Sequence, residues 1–460
     1  MLGLCFSTLL RFRPYLQSCN PGRHIRPPTD QRFLQEEHGD HQVSVTTRRR
    51  TGQANDANCL GLDSKLAPAG HKWGGTVMKL TTGGAANSRI KSPVVGRVSW
   101  EPVDPGNRGE VVFLSKDTPH AEIDLAGYRG FMTEAKVGSH PYSVPSICSV
   151  QELGHLRTGD IVAMEPESGF VRTLYRPDSD DNVVFVTERC NSNCLMCSQP
   201  PRDRDDTDAL LHRNLEMIRL IKDAPSRLVI TGGEPTLLGQ RLFTIISALR
   251  DTLPTTYVHM LTNGRMFAWP SYTAGLAGLK HPDFMLGIPL YSSDSTTHDY
   301  VVQARGAYDQ TVLGLQQLAR YDMRVEIRVV LHGLTIGHLR ELAEYIFRNF
   351  PFAEHIALMG LENIGYAPRN MDKLWIDPLD YQDELESAVE LLSTRGMRVS
   401  IYNHQLCVLR RSLWKFARKS ISDWKNIYLD ACNGCGVRNE CGGFFQWATK
   451  LHSAHIHALS

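Results

Sequence analysis

The chain carries almost no net charge: 50 Lys and Arg face 49 Asp and Glu, a formal +1 over 460 residues. Without a basic excess there is no electrostatic footprint for nucleic acid. Nowhere do about 18 apolar residues run together, so no membrane-spanning helix is expected. The first ten residues are apolar, but no positive stretch precedes them and Arg11 and Arg13 interrupt, which makes a poor secretory signal. Cysteine is sparse as well: 11 residues are too few and too unevenly placed for a disulfide scaffold. Free thiols in a chain with no secretory mark point to a reducing cytoplasm. Cys5, Cys19, Cys59 and Cys148 fall in no motif and read as small buried hydrophobes or incidental thiols.

What is present is concentrated. Cys190-Asn-Ser-Asn-Cys194-Leu-Met-Cys197 follows the apolar run Val183-Val184-Phe185-Val186, so the first cysteine sits where a strand gives way to a loop. Three thiolates on one short loop can hold three irons of a 4Fe–4S cluster and leave the fourth open to a small ligand. Structural zinc prefers four closed ligands, which a lone triplet does not supply. Downstream, Arg227-Leu-Val-Ile-Thr231 reads as a buried parallel strand ending in Gly232-Gly233-Glu234-Pro235-Thr236. Paired glycines at a strand end permit close backbone approach. The carboxylate beside them can accept bonds from an ammonium group.

Together the two motifs resemble those of the radical S-adenosylmethionine (radical SAM) enzymes, with a CxxxCxxC loop after the first strand and a GGE-type motif after the second. The resemblance implies that Cys190, Cys194 and Cys197 hold a site-differentiated 4Fe–4S cluster. It implies that S-adenosylmethionine chelates the open iron, with Gly232, Gly233 and Glu234 contacting its amino group. It also implies cofactor contacts at two later strand ends, Asn263 in Thr262-Asn263-Gly264 and Ser292 in Tyr291-Ser292-Ser293-Asp294. Arg328 lies within the following strand, and Gly360 to Gly365 follows the sixth, where family members meet adenine mostly through backbone. Where the family usually has an aromatic before the third cysteine, this chain has Met196, whose thioether can pack under adenine.

The middle of the chain alternates apolar strand-like runs at 183–190, 227–234, 257–264, 283–291, 324–332 and 354–361 with amphipathic stretches at 211–222, 238–253, 308–321 and 336–350. Continuous apolar strands alternating with helices mean a parallel sheet covered by helices. The expected fold is therefore α/β, a partial (β/α)6 barrel over 181–396, with a small β-rich domain before it and a Cys-rich region after it. The β-rich domain spans 78–180, with short runs at Val94–Val98, Val111–Leu114, Ile161–Met164 and Val171–Tyr175 and turns at Gly159-Asp160 and Ser168-Gly169. Residues 1–77, rich in Arg, His, Gln, Asn and Pro without periodicity, read as disordered or as a non-native extension, with Met78 a candidate start.

The region 397–460 holds Cys432-Asn-Gly-Cys435 and Cys441, spaced C-x₂-C-x₅-C, with Cys407 upstream as a fourth ligand. Four thiolates on short loops suit structural zinc. They also resemble the SPASM or twitch auxiliary-cluster domains of peptide-modifying radical SAM enzymes, which would place a second 4Fe–4S cluster here.

Further strings narrow the resemblance: Thr187 to Pro201, His298-Asp-Tyr-Val-Val-Gln-Ala304, Glu362-Asn-Ile-Gly-Tyr-Ala367 and Ser420-Ile-Ser-Asp-Trp-Lys425. They are similar to the C-type maturase of the His-Xaa-Ser repeat system, a resemblance covering about 78–450. It implies reductive cleavage of S-adenosylmethionine to a 5′-deoxyadenosyl radical, hydrogen abstraction from a small His-Xaa-Ser repeat peptide, and post-translational modification of that peptide. The implied partners are a companion radical SAM maturase and an external electron donor of flavodoxin or ferredoxin type. Two other classes stand beside it: a radical SAM enzyme acting on a small metabolite or RNA, and a non-catalytic accessory or electron-transfer protein.

Overall fold

The structure is a computed structural model and describes residues 81–84, 93–117, 124–137, 142–420 and 427–460. The expectation for 1–77 lies outside these residues. The described residues all fall within one compact unit, and they form two sheets. Among them no helix is long and apolar enough to cross a membrane.

The first sheet has seven strands: β1 (Thr81–Gly83), β2 (Val94–Ser99), β3 (Val111–Ser115), β4 (Gly130–Thr133), β5 (Ser146–Ile147), β6 (Ile161–Glu165) and β7 (Phe170–Tyr175). Their order is β1-β7-β6-β2-β3-β4-β5. The pairs along β2-β3-β4-β5 are parallel, whereas β2-β6, β6-β7 and β7-β1 are antiparallel. The turns marked by glycine are present: Gly159 and Gly169 both take positive φ, a conformation open to glycine at no steric cost. Side chains alternate across a strand, and here the alternation divides two cores. Val94, Val98, Val162 and Met164 pack with one another, while Val95, Ile161 and Ala163 join the core of the second sheet. The β-rich part is thus fused onto its neighbour through shared apolar packing.

The second sheet is parallel throughout, built from β8 (Val183–Phe185), β9 (Arg227–Thr231), β10 (Tyr257–Leu261), β11 (Phe284–Pro289), β12 (Arg324–Leu331), β13 (His355–Gly360), β14 (Val399–Tyr402) and β15 (Ala417–Arg418). Its order is sequential from β8 to β15, with the two ends unpaired to each other, so the barrel stays open. The first six strands sit within the six apolar runs of the sequence. The last two extend the same sheet into the region beyond 397.

Helices α1 (Thr207–Leu220), α2 (Gln240–Thr252), α3 (Pro270–Gly278), α4 (Ser295–Val302), α5 (Ala307–Arg320), α6 (Leu339–Asn349), α7 (Met371–Leu374) and α8 (Gln382–Thr394) connect the strands. In α6 the residues Leu339, Leu342, Ala343 and Ile346 follow the helical repeat and are buried. They meet Val325, Ile327, Val329 and Leu331 of β12 in one core. The alternate β12 residues, Glu326 and Arg328, face the other side of the sheet. There Glu326 accepts from Arg328 at 2.6 Å and bonds His355 of β13 at 2.7 Å. The open barrel therefore has an oily outer face and a polar inner one.

Candidate functional site

Beyond β8 the chain keeps bonding to β9 after formal strand geometry ends. Val186 N–H donates to Thr231 O, Gly233 N–H to Thr187 O and Glu234 N–H to Arg189 O, at 2.7–2.9 Å. This lay-down requires bare backbone. A Cβ on Gly232 would lie 2.5 Å from Thr187 O, and one on Gly233 would lie 2.1 Å from Arg189 O. The two glycines let the segment leading into Cys190 rest directly on the end of β9. Asp206, just before α1, fixes the other side, accepting from Thr187 Oγ1 at 3.1 Å and Glu188 N–H at 2.8 Å.

Glu234 is buried (1 % exposed) and its carboxylate is engaged on both oxygens. Oε1 accepts from Thr236 N–H, Thr236 Oγ1 and Thr262 Oγ1, while Oε2 accepts from Asn263 N–H at 2.6 Å. Burial pushes its pKa up, against the pull of these donors. The carboxylate thereby bridges the ends of β9 and β10. Any contact with an ammonium group would share an oxygen that the protein already uses.

Asn263 reaches the cysteine loop itself: its amide donates to Asn191 Oδ1 at 2.6 Å, and its own Oδ1 accepts Arg265 N–H. Arg265 was not singled out by the sequence, yet it clamps the same loop. Its Nη1 donates to Asn191 O and to Ser192 Oγ, and its Nε donates to Gln310 of α5 at 2.7 Å. From the other side, Asn193 and Leu195 donate backbone bonds to Val302 O and Val301 O at the end of α4. The segment after β13 closes the third side. Tyr366 N–H bonds Cys197 O at 2.9 Å, Asn370 bonds Leu195 O at 2.8 Å, and a Cβ on Gly365 would lie 2.1 Å from Cys197 O. Gly365 also has φ +66°, so two independent constraints call for glycine there.

The three thiols are half-buried and unpaired by disulfides. Burial pushes Cys190 up to about 12, with the Glu234 charge adding to it. Burial likewise raises Cys194 and Cys197, and the neighbouring thiolate charges add to the rise at Cys194. Cys190 and Cys194 thus feel neighbouring sulfurs on one loop, and Arg265 is the cation that offsets their charge. Thiols raised in this way become ligands by giving their protons up to a metal. Three soft sulfur donors on a rigidly held loop suit an iron–sulfur cluster.

Met196 is buried in an apolar cluster with Leu195, Tyr291, Val301 and Ala367. Ser292 is buried at the end of β11, where its Oγ accepts Asp294 N–H at 3.0 Å. Asp294 in turn caps α4 by accepting Thr297 N–H. Ser292 thus sits in a strand-end turn that launches the helix contacting the cysteine loop.

The second cysteine group is gathered too. Cys407, Cys432, Cys435 and Cys441 line one small pocket with Tyr428, Arg438 and His457. Gly434 takes φ +76° between Cys432 and Cys435, turning the chain between these cysteines. Backbone N–H groups point at sulfur: Leu406 and Gly443 at Cys441, both 3.5 Å, and Leu459 at Cys435, 3.4 Å. Among the described residues, no three His, Cys, Asp or Glu side chains gather at one point as a single metal ion requires.

Residues 184–346 match the family model of the radical SAM superfamily. The GTP 3′,8-cyclase of Petrotoga mobilis is 28% identical over 162 residues, 34% of this chain and 48% of that protein. This chain thus spans about half the length of the curated relatives it matches. Among solved structures, Streptococcus suis SuiB bound to S-adenosylmethionine aligns at TM-score 0.41 and 16% identity, over 56% of each chain. SuiB bound to its precursor peptide SuiA aligns at TM-score 0.39 and 15% identity, over 49% of each. Residues 184–346, with their parallel strands and cysteine loop, form a radical SAM superfamily domain, a family that works with a 4Fe–4S cluster and S-adenosylmethionine.

Proposed function

We propose that the chain is a radical SAM enzyme that modifies a peptide or protein, in the manner of a His-Xaa-Ser repeat maturase. Cys190, Cys194 and Cys197 hold the site-differentiated cluster, and Cys407, Cys432, Cys435 and Cys441 hold a second one. The observation that carries the reading is the pairing of two cysteine centres in one compact unit: a three-thiol loop locked onto Gly232 and Gly233, and a four-thiol pocket beyond β14.

When bound, the first cluster and S-adenosylmethionine supply a 5′-deoxyadenosyl radical able to take hydrogen from an unactivated C–H bond. The chain supplies the frame. Asn263 holds the Asn191 side chain, Arg265 holds the Asn191 carbonyl and the Ser192 hydroxyl, and Tyr366 N–H holds the Cys197 carbonyl, so the loop that carries the three sulfurs is fixed along its length. Gly232, Gly233, Asn263 and Ser292 stand at the C-terminal strand ends, where barrel sites are built, and are assigned to S-adenosylmethionine. Glu234 acts there chiefly by fixing β9 to β10. The second centre is assigned to electron transfer from the substrate. A companion maturase and a flavodoxin- or ferredoxin-type donor complete the proposed system.

A second reading is a small-metabolite enzyme, favoured by the match to GTP 3′,8-cyclases. That match covers about a third of the chain. The two separate in one assay. The reconstituted protein is given S-adenosylmethionine, dithionite and either a His-Xaa-Ser repeat peptide or GTP, and products are read by mass spectrometry. A peptide whose mass falls by a pair of hydrogens supports the first reading, and conversion of GTP with an unchanged peptide supports the second.

A further inference from the structure

The second cysteine pocket has a wall that its own loops do not provide. The segment from Ser453 to Ser460 returns across it. Ser453 is buried, and Asp377 receives Ala454 N–H on Oδ2 at 3.0 Å and Leu379 N–H on Oδ1 at 3.0 Å. One carboxylate therefore joins this segment to the turn that opens α8. His455 N–H then bonds Ser453 Oγ at 3.1 Å, which keeps the chain folded at the anchor. Farther along, His457 enters the pocket beside the four cysteines. Gly436 N–H donates to Leu459 O at 2.7 Å, and Leu459 N–H donates to Cys435 Sγ at 3.4 Å, a reciprocal pairing across the cysteine loop. Cys407 Sγ takes a backbone bond from His457.

The donors at the four sulfurs thus have two sources. Cys441 is served by Leu406 and Gly443, which flank the cysteines themselves. Cys435 and Cys407 are served by a segment about twenty or more residues farther along the chain. N–H···S bonds stabilise negative charge on a thiolate and on the cluster it holds, and they are one lever that sets iron–sulfur potentials.

We propose that residues 453–460 are a strap belonging to the second cysteine centre, docked on Asp377, whose backbone N–H groups at Cys435 and Cys407 set how tightly that centre holds its cluster and at what potential. This rests on the reading that the four cysteines bind an iron–sulfur cluster. His457 and Leu459 are positioning residues in it, acting through their backbones, and Asp377 acts through the strap.

The test uses the full chain, anaerobically reconstituted. Cys432→Ala first establishes the reading: loss of about half the iron is expected, and an unchanged iron count overturns the cluster reading itself. Leu459→Pro then deletes the N–H at Cys435 while all ligands remain. Asp377→Ala frees the anchor without touching the pocket, and Asp377→Asn, which keeps a carbonyl acceptor, should restore part of the effect. The readouts are iron release to a chelator and a redox titration followed by electron paramagnetic resonance. Loss of one net hydrogen bond corresponds to about fivefold faster release from the second centre. Its midpoint should move to more negative potential, with the signal of the Cys190 centre unchanged. Should Leu459→Pro and Asp377→Ala both release iron at the wild-type rate with an unmoved midpoint, while Cys432→Ala loses its iron, the strap is overturned and the cluster reading stands.

Discussion

Glu234 Oε2 accepts the backbone N–H of Asn263 at 2.6 Å, so the end of one barrel strand is bolted to the end of the next. The same Asn263 holds Asn191 in the cysteine loop. A carboxylate read from sequence as a ligand contact is thus also a fastener, two hydrogen bonds away from Asn191, the residue after Cys190.

Replacing Glu234 by Gln turns one acceptor into a donor facing existing donors. The cost of an unmatched buried donor is about 1–3 kcal/mol. A lower melting temperature and less iron at the Cys190 centre are expected, checked by circular dichroism and iron analysis. A Glu234→Gln protein with wild-type melting and iron would show that the bolt is unnecessary.

Gly233→Ala tests the lay-down of the loop on β9. Its Cβ would lie 2.1 Å from Arg189 O, closer than any tolerated contact. The backbone must move, and the cysteines move with it. Loss of the Cys190 cluster is expected, with the four-cysteine centre retained at about half the total iron. Full iron loading in Gly233→Ala would contradict the role given to this glycine.

Much of this was legible from sequence, and the failures have physical causes. The cysteine loop and Gly232-Gly233-Glu234 are contiguous in the chain, and β9 to β13 are apolar runs long enough to show. The strands β14 and β15 are only four and two residues long, too short for periodicity to register. Helix α4 opens on Ser-Thr-Thr-His-Asp, which carries no apolar stripe. Arg265 and Gly365 meet the cysteine loop from 74 residues away in the first case and from beyond β13 in the second, contacts that pattern cannot display. The fusion of the β-rich part to the barrel was hidden because alternate residues of β2 and β6 serve different cores.

Arg265→Met removes the clamp on Asn191 and Ser192 and the cation that offsets charge at Cys190 and Cys194. The Cys190 cluster should release iron severalfold faster, with Arg265→Lys restoring part of the retention through charge alone. Chelator-release kinetics on the two variants decide it. Equal release in wild type and Arg265→Met would remove Arg265 from the site.

Stability should fall on mild acidification. Burial pushes His259, His298, His332 and His404 down to about 4 from an ordinary 6.5. Between those values the unfolded chain takes up protons that the folded chain refuses. The stability they contribute is full above about pH 6.5 and is lost as pH falls toward 4, on the order of 3 kcal/mol per histidine when complete. Glu326 acts at lower pH. Burial alone would raise it, but the His355 bond and the charges of Arg328 and His259 hold it at about 2, so its share is lost from about 4.5 downward. A melting temperature that is flat from about pH 7.5 to about pH 5 would contradict this assignment.

The most direct measurement is anaerobic reconstitution with iron and sulfide counted per chain, then assay of 5′-deoxyadenosine with dithionite and S-adenosylmethionine. The account predicts about eight irons per chain, two 4Fe–4S clusters, with 5′-deoxyadenosine formed and abolished by Cys194→Ala. A fully loaded protein that forms no 5′-deoxyadenosine would contradict it.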